Sequence, residues 1–292
     1  MTKFRFRVVV IAPANYPHSA ALSELSETLV YGLEALGHEV SAAINDFSVD
    51  AVNIILGAHL ISEAMAQHIP AGSIIYNTEQ FDADSAWMGT RLLDLIRQFE
   101  TWDYSRRNIA FLSERKLASS LHFVPIGFVP QLARIQQAPK QDIDVLFYGS
   151  MNQRRAHILD ALRAQGFMVV TAFNCYGDER DALIARAKVI LNVHYYESKI
   201  FEIVRVSYLL TNHKAVVAEV GAETDMDPIF RDAVAGVPYD HLVETCAALV
   251  VDDLRRTRLE QRGFEIMSSV REEECLRPVI EARFMQRDSP KQ

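Results

Sequence analysis

With 292 residues, 49% of them hydrophobic and 23% charged, the chain has material for two buried cores of ordinary domain size and is neither disordered nor fibrous. A formal charge of −8, from 38 acids against 30 bases, argues against a nucleic-acid partner, whose phosphates demand a broad basic surface. The three cysteines, Cys175, Cys246 and Cys275, are scattered and form no Cys-x-x-Cys spacing, so neither a disulfide framework nor a zinc site is expected and a reducing cytoplasm suits them.

The basic start Lys3-Phe4-Arg5-Phe6-Arg7 leads into an apolar run too short for a signal peptide, and Pro13 closes it, so residues 6–12 read as a first buried strand. The loop Pro13-Ala14-Asn15-Tyr16-Pro17-His18 opens a helix over 19–36, which Gly37 ends at the position where glycine takes the left-handed conformation without steric cost. Strands are expected over 39–43, 51–57 and 73–76, a helix over 87–99, another from about 104, and a closing strand over 121–125. The polar, proline-containing stretch 136–142 has no apolar periodicity and reads as a linker. A new series follows: strand 144–148, helix 154–165, strand 167–173, helix 178–187, strand 189–194, helix 199–210, strand 215–219, and helices over 240–250 and 253–269. The charged tail past Arg271 either packs across the other domain or frays. No stretch reaches the roughly 18 apolar residues of a membrane span, which points to a cytoplasmic chain or one peripheral to the inner face of the membrane.

Alternating strands and helices throughout predict an α/β protein with two Rossmann-like domains, parallel sheets and an interdomain cleft. The expected division is 1–137, 138–275 and a tail of 276–292. Without Gly-x-Gly-x-x-Gly after the first strand and without a Walker loop, a dinucleotide enzyme or NTPase is disfavoured.

Four segments then carry a resemblance. Leu33-Glu34-Ala35-Leu36-Gly37-His38-Glu39-Val40 resembles the end of the first helix in GT-B glycosyltransferases, and Phe123-Val124-Pro125-Ile126-Gly127-Phe128 the segment that closes their N-terminal domain. Val145-Leu146-Phe147-Tyr148-Gly149-Ser150 is similar to the strand and turn opening their donor domain, and Lys214-Ala215-Val216-Val217-Ala218-Glu219 to the strand after the donor-site helix. The resemblance is to bacterial-type enzymes related to the retaining family-one and family-four group. It implies an acceptor-side first half, a nucleotide-sugar donor held by the second half, and no obligatory cofactor. Retaining members commonly carry two glutamates seven residues apart; Glu197 matches the first, but Arg205 stands near the place of the second, so stereochemistry does not carry over.

The helix expected over 199–210 is apolar on most sides, with Lys199, Glu202 and Arg205 spaced by three along one edge. Charges on an otherwise buried helix need partners, so that edge is expected to face a cleft or a bound polyanion, at the carboxyl edge of a sheet where such folds bind phosphates. Lys199 and Arg205 are assigned to the diphosphate, with Glu202 bonding a hydroxyl or orienting Arg205; the competing reading is an internal ion pair of Glu202 with Arg205. In the turn Gly149-Ser150-Met151-Asn152-Gln153-Arg154-Arg155, the glycine allows close approach and Arg154 or Arg155 offers a planar fork to phosphate oxygens, making a bound metal unnecessary. His194, Tyr196 and Glu197 complete the expected donor contacts. His18, Glu79 and Asp103, at loop edges of the first half, are the candidate bases or acceptor contacts. The expected reaction is metal-independent transfer of a sugar to a saccharide, lipid-linked, protein or small-molecule acceptor. A nucleotide-sugar epimerase and a non-catalytic nucleotide or sugar binder are the alternatives.

Overall fold

The apolar runs and amphipathic segments resolve, in the computed structural model, into two separate parallel sheets; residues 3–82, 87–88, 90–195 and 199–285 are described. Met1–Val129 together with Val270–Gln292 form one unit, and Pro130–Ser269 the other.

In the first unit the chain runs β1 (Arg5–Val10), α1 (Ser23–Ala35), β2 (Glu39–Ile44), β3 (Val52–Leu56), α2 (Glu63–Ala66), β4 (Ile74–Asn77), α3 (Arg91–Gln98), β5 (Glu100–Asp103), α4 (Arg106–Glu114) and β6 (Ser120–Phe123). Among the described residues these six strands pair in the order β2-β1-β3-β4-β5-β6, every pairing parallel. Val8, Val9, Ile54, Ile55, Ile74 and Ile75 are fully buried, as strands covered on both faces require. Gly37 ends α1 at φ +85° as expected. The first helix starts later than predicted, because Pro17–Leu22 forms a 3₁₀ turn ahead of it. The strand β5 was not foreseen: four residues between two helices, with no glycine or proline to mark its ends. Its Trp102 is nonetheless fully buried.

The second unit runs β7 (Ile143–Tyr148), α5 (Gln153–Ala164), β8 (Val169–Ala172), α6 (Gly177–Arg186), β9 (Ala187–Asn192), α7 (Ile203–Thr211), β10 (Ala215–Glu219), β11 (Ala235–Val237), α8 (Leu242–Val251) and α9 (Asp253–Ser269). Its described strands pair in parallel in the order β11-β10-β9-β7-β8. One face buries Val145, Phe147, Val189, Leu191 and Val217 against Ile158, Leu159 and Leu162 of α5 and Leu242, Cys246 and Leu249 of α8.

The chain crosses between units at 129/130, earlier than the stretch 136–142, and that stretch is bound rather than free. Asn212 Oδ1 accepts from the backbone N–H groups of Arg134 and Ile135, at 2.8 and 2.7 Å. Lys214 Nζ donates to Gln137 Oε1 at 2.9 Å, and Gln137 Nε2 to the His213 carbonyl at the same distance. Polarity there reflects hydrogen bonding within the second unit.

The residues past Arg271 form α10 (Glu272–Met285), which belongs to the first unit rather than to a tail starting at 276. A proline inside it, Pro278, and the acids Glu272, Glu273 and Glu274 hide the helical pattern, although acids in a first turn suit the helix dipole. It packs on α1 where Gly32 leaves room: a Cβ at Gly32 would collide with Glu272 Cγ and lie 2.9 Å from Leu276 Cδ1. Phe284 stacks on Phe4 with centroids 3.3 Å apart, and Arg283 pairs with Glu100.

Candidate functional site

Two clusters lie at the carboxyl ends of the parallel strands, one in each unit, where open α/β sheets bind ligands.

In the second unit β7 runs into Gly149, whose φ of +132° is a conformation that other residues rarely adopt. Its N–H donates to the Ala172 carbonyl at 2.9 Å. A Cβ at Gly149 would stand 3.0 Å from Arg205 Nη2, so the glycine is what allows the guanidinium to lie across the turn. Arg205 also sits over the Tyr148 ring at 5.1 Å. Its Nη1 is 3.3 Å from Glu202 Oε2 yet is buried without a hydrogen-bond partner among the described residues. The Asn152 side chain caps α5 by accepting from Arg155 N at 2.9 Å, and the Ser150 carbonyl takes Arg155 Nη1 at 2.8 Å.

The two adjacent arginines separate in role. Arg155 is 2% exposed; its Nε donates to the Val193 carbonyl at 2.9 Å and its Nη2 to Glu202 Oε1 at 3.1 Å. It ties the Gly149 turn to the end of β9 and to Glu202, with its guanidinium buried. Arg154, with its side chain 36% exposed, forks onto Glu219, with Nη2 donating to Oε1 at 2.5 Å, and lies 3.9 Å over the Tyr239 ring. Burial would raise the Glu219 carboxyl, but the hydrogen bonds from Arg154 and the charge beside it bring it below the ordinary carboxylate range. His194 N donates to Glu219 Oε2 at 3.2 Å; burial lowers the His194 pKa against the opposing pull of Glu219 and Glu202.

The expected helix over 199–210 begins only at Ile203. Lys199 has φ +50°, and Ile200 makes a parallel bridge to Asp225 instead. The periodicity of three thus joins a loop lysine to Glu202 at the helix cap and Arg205 in its first turn. Glu202 lies at ion-pair distance from both Arg155 and Arg205, so the internal Glu202–Arg205 pair is present. Tyr196 and Glu197 lie outside the described residues.

Sequence reasoning missed two further groups at this sheet edge. Glu219, 5% exposed, ends an otherwise apolar strand, and that lone acid was the available signal. Asn192 ends β9 fully buried with neither amide atom partnered among the described residues.

In the first unit, Tyr16 and His18 follow β1, their rings T-shaped with centroids 5.2 Å apart. Asn45 clamps the start of that loop, exchanging hydrogen bonds of 2.8 and 2.7 Å with the backbone of Ala12. Burial and then the nearby Glu79 charge raise the Tyr16 pKa. Glu79, past β4, places Oε1 3.0 Å from Nδ1 of His59, past β3, and Trp87 lies 5.2 Å from the His59 ring. His59 was not among the expected residues; the apolar strand ending in Gly57-Ala58-His59 was its only signal.

Asp103, expected as a base or acceptor contact, is fully buried and accepts from Asn77 Nδ2 at 2.7 Å, from Asn108 Nδ2 at 3.0 Å and from Ser105 N at 2.8 Å. Asn77 and Asn108 in turn donate to the Glu79 carbonyl at 2.9 and 2.8 Å. Asp103 therefore fixes the loop that carries Glu79.

No protein-family model matches the chain. Similar sequences are uncharacterized proteins of Acanthamoeba polyphaga mimivirus: L140 is 26% identical over 207 residues, covering 68% of this chain and 66% of L140, and L138 is 32% identical over 106 residues, covering 35% of this chain. The chain thus spans just under two thirds of L140 and only 12% of L138. Among solved structures, an alpha-glucosyltransferase in complex with UDP and a 13-mer DNA containing an HMU base aligns over 96% of this chain and 99% of its own, with a TM-score of 0.67 and 10% identity. Anabaena Alr3699/HepE in complex with UDP and glucose gives 0.64 at 12% identity over 97% and 99%. T4 phage BGT in complex with UDP and Mn2+ gives 0.61 at 14% identity over 95% and 99%. With its two all-parallel α/β units, this chain has the GT-B fold of these glycosyltransferases.

Proposed function

We propose that the protein transfers a sugar from a uridine diphosphate sugar to an acceptor hydroxyl, with the donor held by the second unit. The observation that carries this reading is Arg205: a guanidinium laid across the Gly149 turn, oriented by Glu202, with one buried nitrogen lacking a hydrogen-bond partner among the described residues. A buried N–H donor left without a hydrogen bond is costly even beside a carboxylate, and a phosphate oxygen would relieve that cost. UDP in the complexes of the structural neighbours supports a uridine nucleotide. Lys199 and Arg154 add positive charge at the same edge, and together the cations stabilise the departing diphosphate without an obligatory metal. The net charge of −8 favours an acceptor other than nucleic acid. No described helix is long and apolar enough to cross a membrane.

The experiment is thermal stabilisation across nucleoside diphosphates and their sugars, because a ligand that binds only the folded chain stabilises it by about 2.7 kcal/mol at a hundred times its Kd. UDP is expected to raise the melting temperature and the other bases to do less. A folded sample indifferent to every nucleotide refutes the donor site. UDP release measured in EDTA and again with Mn2+ decides the metal question: equal rates support metal independence, and activity lost in EDTA refutes it.

A further inference from the structure

We propose that β8, the outer strand of the second unit's sheet, is a docking edge for a second copy of the chain, the two strands pairing antiparallel about a two-fold axis at Val170. Among the described residues the two sheets end on β2, β6, β8 and β11. An edge strand offers unpaired N–H and C=O groups, and edges that are to stay alone are guarded by charge, by a bulge or by being short. β2 has Glu39 at its start and Asp46 just past its end, which antiparallel self-pairing would bring together. β6 carries His122 within it, and Arg106 lies 3.8 Å over the ring of its Phe123. β11 is three residues long. β8 has none of these guards. It lies in the stretch Phe167-Met168-Val169-Val170-Thr171-Ala172-Phe173, which holds no charged residue, and Met168 and Phe173, just before and just after the strand, are 57% and 55% exposed.

The ladder to β7 fixes which backbone groups of β8 point outward. Val145 N–H donates to the Met168 carbonyl at 3.2 Å and Gly149 N–H to the Ala172 carbonyl at 2.9 Å, in a register that pairs Val145 with Val169 and Tyr148 with Ala172. In a parallel ladder alternate residues turn to the neighbour, so Val169 and Thr171 turn their N–H and C=O groups away from β7. A two-fold axis at Val170 sets Val169 of each copy against Thr171 of the other, and each such pair exchanges both its hydrogen bonds.

The side chains favour a second copy over an unrelated strand. The same axis sets Val170 against itself, the long, exposed Met168 against the small Ala172, and the exposed Phe173 against Phe167. Cross-strand aromatic and β-branched pairs of this kind are stabilising, and a two-fold contact closes on itself rather than propagating. Charge agrees. With a net −8 two copies repel over much of their surface, and this uncharged stretch lets them meet without opposing like charges. Asp144, which accepts from Met168 N at 2.8 Å beside the start of β8, is neutralised by Lys188 at 2.7 Å. One short edge buries less than the about 1,200 Å² of a standard interface, so the dimer is transient, with a Kd in the micromolar range.

The test is sedimentation velocity of the whole chain from about 1 to about 300 µM. Wild type is expected to pass from monomer to dimer over that range. Thr171→Pro removes an outward N–H that the ladder to β7 does not use, so it is expected to keep the melting temperature near that of wild type and to weaken the dimer by about 10-fold or more. Val170→Lys and Val170→Glu are each expected to stay monomeric alone, because each opposes like charges at the axis. Their equimolar mixture sets lysine against glutamate and recovers the dimer. A wild type that remains monomeric throughout overturns the proposal, as does a dimer that a folded Thr171→Pro leaves unweakened. A mixture of the two Val170 variants that associates no better than either alone overturns it too, and decides by itself if Thr171→Pro does not fold. None of these readouts needs a nucleotide, so they stand apart from the donor reading.

Discussion

Replacing Glu272 with glutamine removes a measurable part of the pH dependence of the first unit. Glu272 is 1% exposed at the start of α10; its Oε2 accepts from Gly127 N at 2.5 Å, and its Oε1 has no partner among the described residues. Burial pushes its pKa from 4.5 up to about 8, against the lowering effect of the Gly127 hydrogen bond. The unfolded chain ionises this group above about pH 4.5 while the folded chain keeps it neutral to about pH 8. Its contribution to stability is therefore complete below pH 4.5 and declines until pH 8, beyond which it changes no further. Each pH unit of that span is worth about 1.4 kcal/mol, which sets a ceiling of about 5 kcal/mol. The chain's two tryptophans, Trp87 and Trp102, both lie in the first unit, so urea unfolding followed by tryptophan fluorescence reads that unit. Burial lowers the pKa of His38 in the same unit, an effect of opposite sign common to wild type and variant that cancels in their difference. We expect wild type to lose at least about 1 kcal/mol more than Glu272→Gln between pH 5 and 8. Parallel curves for the two proteins would refute the reasoning.

Arg205→Ala is expected to weaken UDP binding by about 10-fold or more with little change in melting temperature, as calorimetry and thermal melts measure separately; equal affinity in the folded variant removes Arg205 from the donor site. Gly32→Ala forces a methyl into Glu272 Cγ and Leu276, and costs about 1–3 kcal/mol in the same fluorescence-followed unfolding; an unchanged midpoint would mean that α10 rests on α1 less closely than described. Asp103→Ala removes the buried acceptor shared by Asn77, Asn108 and Ser105 and is expected to lower the first unit's stability by about 1–3 kcal/mol. A variant of wild-type stability that had lost only activity would return Asp103 to the chemistry.

The α/β class and most strands were legible because buried parallel strands are written as uninterrupted apolar runs, such as Val145-Leu146-Phe147 and Ala215-Val216-Val217-Ala218. The strand around Trp102 was not legible, since four residues carry no period and its polar ends resemble a loop. The site was half legible. Lys199, Glu202 and Arg205 were singled out by their spacing, although the helix that suggested it starts four residues after Lys199. Arg154 and Arg155 are neighbours in sequence, and only the direction each takes from α5 separates the one on Glu219 from the one sealed against the Val193 carbonyl. The His59–Glu79 pair depends on β3 and β4 being adjacent, a pairing between segments that no local pattern encodes.

That α10 completes the unit begun by β1 has a bearing on biosynthesis. The second unit is one uninterrupted stretch, Pro130–Ser269, whereas the first cannot cover the exposed side of α1 until Glu272–Met285 has been made. On the ribosome the second unit is thus free to fold while the strands made before it still wait for α10, the reverse of the usual N-to-C order. A premature stop ahead of α10 would leave a finished second unit joined to an unfinished first, a species with apolar surface that chaperones and proteases recognise.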